Sequence, residues 1–517
     1  MKNLRQLLRR TSWLAVFLSA VIAVILMSTA VFGDSDRLMV GLKGEPVTLD
    51  FHWTSDNLVR NIGCHIFETL FAFNEDWEAV PMLVESYEKS EDGLTTTYHL
   101  RQGVVFHDGS EMTSADVVAS LNRWLVKAQF GRQVAGFTDT LVATDEYTVT
   151  WKTTEPLTLL ERALSSWRQG AAIYPKSIVD KFGENVVSEY IGTGPYKFVR
   201  WNEGQSILLE KFDEYVPVDL PADGYSGKRV AEFEELEFIF VPEEAVRRLG
   251  VETGDFQVGL DVSRDSFAQY EADPNISSIV GAPRMSFAVL NKRMGPLADL
   301  TLRRALQAAI CVEEVLPVYG AERFWRADPG VIWLETAYWT DAGGELYNVC
   351  DPEWAERLIG HSDYDGTPLR FALNPEDVTK TAVATVMQQQ LEEIGVPVVL
   401  EMRDIASHSE TIQNDPAAWD LHMVEATYRT HPILVSHLQE SYRGWWENGE
   451  KDALLDIMLT AKTFEESFAA WERIQELDYE DVCIIKLGDF FEYHIASSEL
   501  DLDLVMPDPF FWNCEYK

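Results

Sequence analysis

Residues 93–124, GLTTTYHLRQGVVFHDGSEMTSADVVASLNRW, constrain the fold more tightly than any other part of the chain. Thr95, Thr97, His99 and Arg101 alternate with Thr96, Tyr98 and Leu100, the period of a half-buried strand that Gly103 ends. Residues 104–106 read as a second short strand entering the turn His107-Asp108-Gly109. Thr113, with Asp116 three places on, supplies the hydroxyl and carboxylate of a capping box, and Val117, Val118, Leu121, Trp124 and Leu125 then recur at helical spacing. The stretch predicts an α+β unit: strand, turn, strand, turn, capped helix.

The string L-R-x-G-V-x-F-H-D-G followed by T-x-x-D-V-V-x-S resembles the signature of the large solute-binding proteins of bacterial ABC importers, family 5, the oligopeptide, dipeptide and nickel type. Two further stretches resemble the same family in its order. Residues 41–50, GLKGEPVTLD, match its first strand, and residues 192–198, GTGPYKF, match its crossover. Weaker likenesses lie at 299–309, 347–352 and 391–396. The resemblance implies an α/β, periplasmic-binding-protein-like fold of two lobes with a hinge and an extra α+β domain. Its divisions fall at 1–33 (signal), 34–73, 190–283 and 490–517 (first lobe), 74–189 (inserted domain) and 284–489 (second lobe). It also implies a monomer without cofactor that hands a peptide-like or other small-molecule ligand to an ABC permease and its ATPase.

Composition sets independent limits. The segment 1–33 has a basic start (Lys2, Arg5, Arg9, Arg10), a long apolar run and small residues near its end, the pattern of a secretory signal, so the expected location is periplasmic, with membrane anchoring if the signal stays uncleaved. Losing those four cations takes the net charge from −41 to −45. So acidic a body repels phosphate backbones, which excludes nucleic acid as a partner. The five cysteines show no metal-ligand spacing and are expected to be buried small apolar side chains, with a Cys311–Cys350 bridge as the alternative. Gly192-Thr193-Gly194-Pro195 lacks both the third glycine of a dinucleotide loop and the G-K-[ST] of a triphosphate loop, and suits a sharp crossover into a strand over 196–201 with 206–211 as its hairpin partner. Further on, 369–373, 396–402 and 419–424 read as strands alternating with a long helix over 378–394, and 482–487 as a late strand.

No nucleophile or zinc motif is present, and the chain is expected not to be an enzyme. Eighty-four acidic residues nevertheless bring carboxylates together by chance, which leaves a secreted or anchored hydrolase, such as a glycosidase with paired carboxylates, as the alternative. The histidines show no i, i+4 pair, and the loop holding His431 and His437 reads as solvated.

The candidate site follows from the resemblance and from one departure within it. Trp53 and Thr54 lie in the loop that faces the ligand in the family. Trp167, with Arg168 beside it, and Arg284 at the mouth of the strand 285–291 are further candidates. In peptide-binding relatives an aspartate four residues before a proline holds the ligand's ammonium group. Here the run is Glu425-Ala426-Thr427-Tyr428-Arg429-Thr430-His431-Pro432, which puts Tyr428 or Arg429 at that place, with Glu425 as a displaced substitute. A peptide ammonium against Arg429 would be an unpaired charge in a desolvated cleft, so a ligand rich in carboxylate or hydroxyl groups is expected. Sixteen tryptophans, among them Trp445 and Trp446 beside Arg443, offer flat faces for a sugar-like ring.

Overall fold

The computed structural model describes residues 36–157, 159–427, 429, 431–502, 504 and 506–517; the proposed signal segment and Tyr428 lie outside them. Among the described residues no helix is long and apolar enough to cross a membrane. In chain order the strands are β1 (Arg37–Leu42), β2 (Phe71–Phe73), β3 (Ala79–Pro81), β4 (Val84–Lys89), β5 (Thr95–Leu100), β6 (Thr138–Asp145), β7 (Thr148–Thr153), β8 (Tyr196–Asn202) and β9 (Ser206–Lys211). They continue with β10 (Glu235–Phe240), β11 (Val258–Gly259), β12 (Ile276–Leu290), β13 (Trp325–Arg326), β14 (Leu369–Leu373), β15 (Val398–Met402), β16 (Leu421–Thr427) and β17 (Ile484–Ser497).

One sheet unites both lobes. Its order is β15-β14-β16-β12-β17-β11-β1-β10-β9-β8, with β13 attached to β17. The first lobe is the half around β1, which runs parallel to β10 and β11; the second is the half around β14, parallel to β15 and β16. What joins them is the antiparallel pair β12 and β17, of 15 and 14 residues. Residues 276–280 of β12 face 493–497 of β17 on the first-lobe side, and 283–289 face 484–491 on the second, with register shifts between Val280 and Pro283 and between Ser286 and Phe287. Such irregularities bend a paired ribbon, so both crossings are built where the backbone already departs from a regular ladder.

Each lobe hides its own core. Leu38, Val40 and Leu42 of β1 pack with Leu236 and Phe238 of β10, and Phe511 and Trp512 return from the C-terminus to the same cluster. In the second lobe Leu369, Phe371 and Leu373 of β14 meet Val383, Met387 and Leu391 from the helix Val378–Glu393. The glycines of the 192–198 string are required by close packing: a Cβ on Gly192 would stand 2.1 Å from the Ile66 carbonyl oxygen, and one on Gly194 2.3 Å from that of His65.

A separate four-stranded sheet, β4-β5-β7-β6, carries the α+β unit. Tyr98 and Leu100 point inward from β5 to Val117, Leu121 and Trp124 of the helix Ser114–Lys127. Thr113 and Asp116 form the capping box, with the Thr113 amide donating to Asp116 Oδ2 at 2.8 Å, an arrangement worth about 1 kcal/mol. This unit is bound to the first lobe by a buried ion pair: Arg123 Nη1 donates to Asp50 Oδ1 at 3.0 Å and Nη2 to Oδ2 at 2.5 Å, with 2% and 0% of the two side chains exposed. Asp50 also accepts from the amides of Val187 and His52, and Arg123 donates to the carbonyls of Gly183 and Asn185.

The structure corrects several local expectations. Residues 104–106 form no strand: Val105 makes a single bridge to Glu111, because the glycine turns at 103 and 109 wrap the segment too tightly for a ladder. The strand expected to end near 424 runs to Thr427, held by pairing with β12 as far as Arg284. The late strand expected over 482–487 is the much longer β17. Cys311 and Cys350 form a disulfide, so burial as free thiols holds for Cys64, Cys483 and Cys514 alone.

Candidate functional site

Two adjoining cavities lie where β16 and the loop after it meet the first lobe and the α+β unit. The larger, of about 260 Å³, is lined by Arg284, Glu425, Thr427, Arg429, Tyr442 and Arg443 among others. The narrower, of about 50 Å³, is walled by Phe73, Trp77, Trp167, Tyr225, Arg60 and Asp508. Arg168, Thr427 and Arg429 border both. One compartment is therefore aromatic, the other polar, and two guanidinium groups stand at the boundary.

The arginines differ in what neutralises them. Arg60, the lone cation of the helix Asn57–Gly63, pairs with Asp508 at 2.7 Å. Arg284 pairs with Glu492 from the facing strand. Arg429 instead spends its donors on neutral acceptors: the carbonyl oxygens of Leu434 and Thr427 and the hydroxyl of Ser436, each at 3.2 Å. Among the described residues Arg168 has no carboxylate partner, and its Nη1 is sealed from solvent without a hydrogen bond. Burial, then the positive charges of Arg429 and Arg60, push Arg168 well below the usual arginine range; burial, then Arg60, bring Arg429 down to about 10. A buried cation without a countercharge is costly, so the boundary is electrostatically incomplete as it stands.

Glu425 does not supply the missing charge. It accepts the Tyr319 hydroxyl at 2.9 Å, and burial raises its carboxyl above the usual range. It is also the only carboxylate among the described residues lining the larger cavity.

Of the residues singled out in the sequence, Trp167, Arg284, Glu425 and Arg429 are brought together here. Trp167 is nearly buried, edge-on to Phe51 with Arg229 over its ring at 5.4 Å. Trp53 stands outside both linings, 43% exposed with Lys127 5.4 Å above its ring, and Thr54 caps the amide of Asp56. Trp446 is buried in the second lobe, donating to Asp481 at 2.9 Å, and Trp445 packs against Trp419 with Arg293 over its ring. Neither tryptophan reaches the cavities, because Gly444 and Trp445 adopt positive φ and turn the pair back into the lobe. Tyr428 lies outside the described residues. The loop read as solvated is not: His431 and His437 are 0% and 3% exposed, the latter bonded to Asp478 at 2.8 Å.

Arg60, Trp77 and Asp508 had no sequence signal that would have placed them here, apart from Arg60 being a single charge in an otherwise neutral helix. Arg60 and Trp77 come from the start of the described chain, and Asp508 reaches them from near its end.

Residues 78–435 match the bacterial extracellular solute-binding proteins, family 5 middle region. The probable peptide ABC transporter periplasmic-binding protein of Sinorhizobium fredii is 24% identical over 470 residues, covering 87% of this chain and 88% of that one. The glutathione-binding protein GsiB of Escherichia coli O157:H7 is 24% identical over 430 residues, 80% of each chain. Among solved structures, the substrate-binding protein CtaP of Listeria monocytogenes superposes with a TM-score of 0.79 at 23% identity, covering 91% of this chain and 96% of that one. The binding protein AgaA from A. tumefaciens R10, solved with agropinic acid, gives 0.76 at 21% identity, covering 93% and 99%. The fold is that of the two-lobed binding proteins, and with more than half of its length matched the chain belongs to the bacterial extracellular solute-binding proteins of family 5.

Proposed function

We propose that this chain, the solute-binding protein of an ABC importer, captures a small carboxylate-bearing solute between its lobes and closes on it. The observation that carries the reading is the pair Arg168 and Arg429, which border both cavities without a carboxylate partner among the described residues. Arg168 belongs to the inserted α+β unit, and Arg429 follows the second-lobe strand β16. Left bare, the two guanidinium groups repel; a carboxylate between them turns repulsion into two charge-assisted contacts, so binding and closure are one event. The ribbon β12–β17 is the hinge, and the register shifts at Val280 and Ser286 absorb the bending.

In this reading the segment 1–33 exports the chain, residues 74–189 form the inserted domain and 284–489 the second lobe. The protein acts as a periplasmic monomer, carries no covalent step, and leaves the energy of transport to the permease and its ATPase. The names of its relatives support a peptide-like solute: peptide and glutathione for two of them. Missing the ammonium-binding aspartate, this chain is directed to the acidic part of such a molecule, with the aromatic walls of Trp77 and Trp167 beside it.

The test is isothermal titration of the chain without its signal against short peptides, glutathione and sugar acids, each paired with its carboxamide. Acids should bind and amides should not. Arg429→Gln should then weaken acid binding at least about tenfold, a charge-assisted hydrogen bond being worth roughly 1.5–3 kcal/mol. Equal binding of acid and amide would overturn the reading.

A further inference from the structure

The two boundary arginines do not exhaust the positive charge of the cleft. Arg443 lines the same 260 Å³ cavity from the second-lobe loop before the helix Gly449–Thr460. Its guanidinium lies 5.2 Å from the centre of the neighbouring Tyr442 ring, its Nε is sealed from solvent without a hydrogen bond, and no carboxylate pairs with it among the described residues. The cations around it are otherwise accounted for: Arg284 by Glu492, and Lys380 by Asp377. One carboxylate, Glu425, faces three unpaired guanidinium groups, and Tyr319 already donates to it.

Resting on the reading above, we propose that the solute carries two acidic groups, one held between Arg168 and Arg429 and the second by Arg443. The charge balance supports this. Three cations against one ligand carboxylate leave two positive charges uncompensated, and a second acidic group removes one of them. The two anchors also divide the work. The boundary pair draws the lobes together, while Arg443 belongs to the second lobe alone and selects among acids already admitted. A monoacid fills the first position and leaves Arg443 uncompensated, so selectivity for the diacid arises from the cost of that vacancy as much as from a new contact.

The experiment compares each diacid with its own monoamide, using glutathione, glutarate, adipate and pimelate, by isothermal titration to the whole chain without its signal. For at least one pair the wild-type protein should prefer the diacid about tenfold or more, with the preference reduced below about threefold in Arg443→Gln and partly restored in Arg443→Lys. Melting temperatures of the variants, measured without ligand, show that they fold. If diacid and monoamide bind equally well, the solute is a monoacid: this proposal falls and the carboxylate reading stands. A preference that survives in Arg443→Gln overturns the assignment to Arg443. If monoamides and diacids both fail while fully amidated or neutral compounds bind, both readings fall together.

Discussion

Replacing Arg123 by methionine tests how the α+β unit is held to the first lobe. The substitution keeps most of the apolar stem and removes the cation from a carboxylate that is wholly buried. Losing one partner of a buried pair costs about 3–5 kcal/mol. Asp50 would keep its bonds from the amides of Val187 and His52, which places the expected loss near the lower end, about 3 kcal/mol, or roughly a 150-fold fall in the folded-to-unfolded ratio. Urea unfolding followed by tryptophan fluorescence reads this as a lowered midpoint. The charge origin has its own signature. A carboxylate buried without a countercharge takes up a proton more readily, so the deficit should be larger at pH 8 than at pH 5. The double variant Asp50→Asn with Arg123→Met should lose less than the two single losses added, since neither charge remains stranded. A loss below about 1 kcal/mol, or the same deficit at both pH values, would refute the argument and leave packing as the cause.

Four further outcomes are expected. Reducing the Cys311–Cys350 bridge, which closes a separation of 39 residues, should cost up to about 4 kcal/mol by loop entropy, read as a lower melting temperature in dithiothreitol that a Cys311→Ser, Cys350→Ser variant does not show. Burial holds His52 and His65 down at about 3, below their unfolded value, so their contribution is complete above pH 6.5 and is lost as the pH falls toward 3; each costs about 1.4 kcal/mol per unit crossed, and His52→Gln should flatten the acid limb of a stability-against-pH curve. Burial, with Asp261 adding to it and Arg284 opposing, raises Glu492 to about 7, the opposite sign: its contribution is complete below about pH 4.5 and is lost as pH rises through 7, so Glu492→Gln should gain on the wild type between pH 5 and pH 8 in paired melting curves. Trp53→Ala should leave the melting temperature within about 2 °C, since its ring is exposed and touched by Lys127; a large drop would mean that the ring supports the fold.

The fold was legible wherever local periodicity and local partners coincide. β5, the capped helix Ser114–Lys127, the hairpin β8–β9 and the alternation of β14, β15 and their helices all follow from patterns a few residues long. Local patterns give β12 and β17 too short because half of each serves the other lobe: a short, mostly apolar run marks the buried end, and nothing local marks the crossing. The site was legible in part for the same reason. Arg429 and Glu425 stood out against a pattern shared with relatives. Arg168 stands out in the sequence only as the neighbour of Trp167, whereas Asp508 and Arg60 gain meaning from an ion pair between residues more than four hundred positions apart in the chain. Trp445 and Trp446 misled because a tryptophan pair beside an arginine looks the same in sequence whether it faces a ligand or a core.

The cleft is a small positive island inside a strongly acidic body, and this sets how capture should respond to ionic strength. At 0.01 M salt the field of a chain with net charge −41 reaches about 30 Å and turns anions away before they sense the arginines. At 0.15 M that reach shrinks to about 8 Å, while contacts of the proposed carboxylate with Arg168 and Arg429, made at hydrogen-bonding distance, would be screened far less. Moderate salt should therefore quicken association and leave dissociation nearly unchanged, the reverse of the usual weakening of a charge-driven complex. A protein built this way would hold the acidic solute proposed above best in a saline medium.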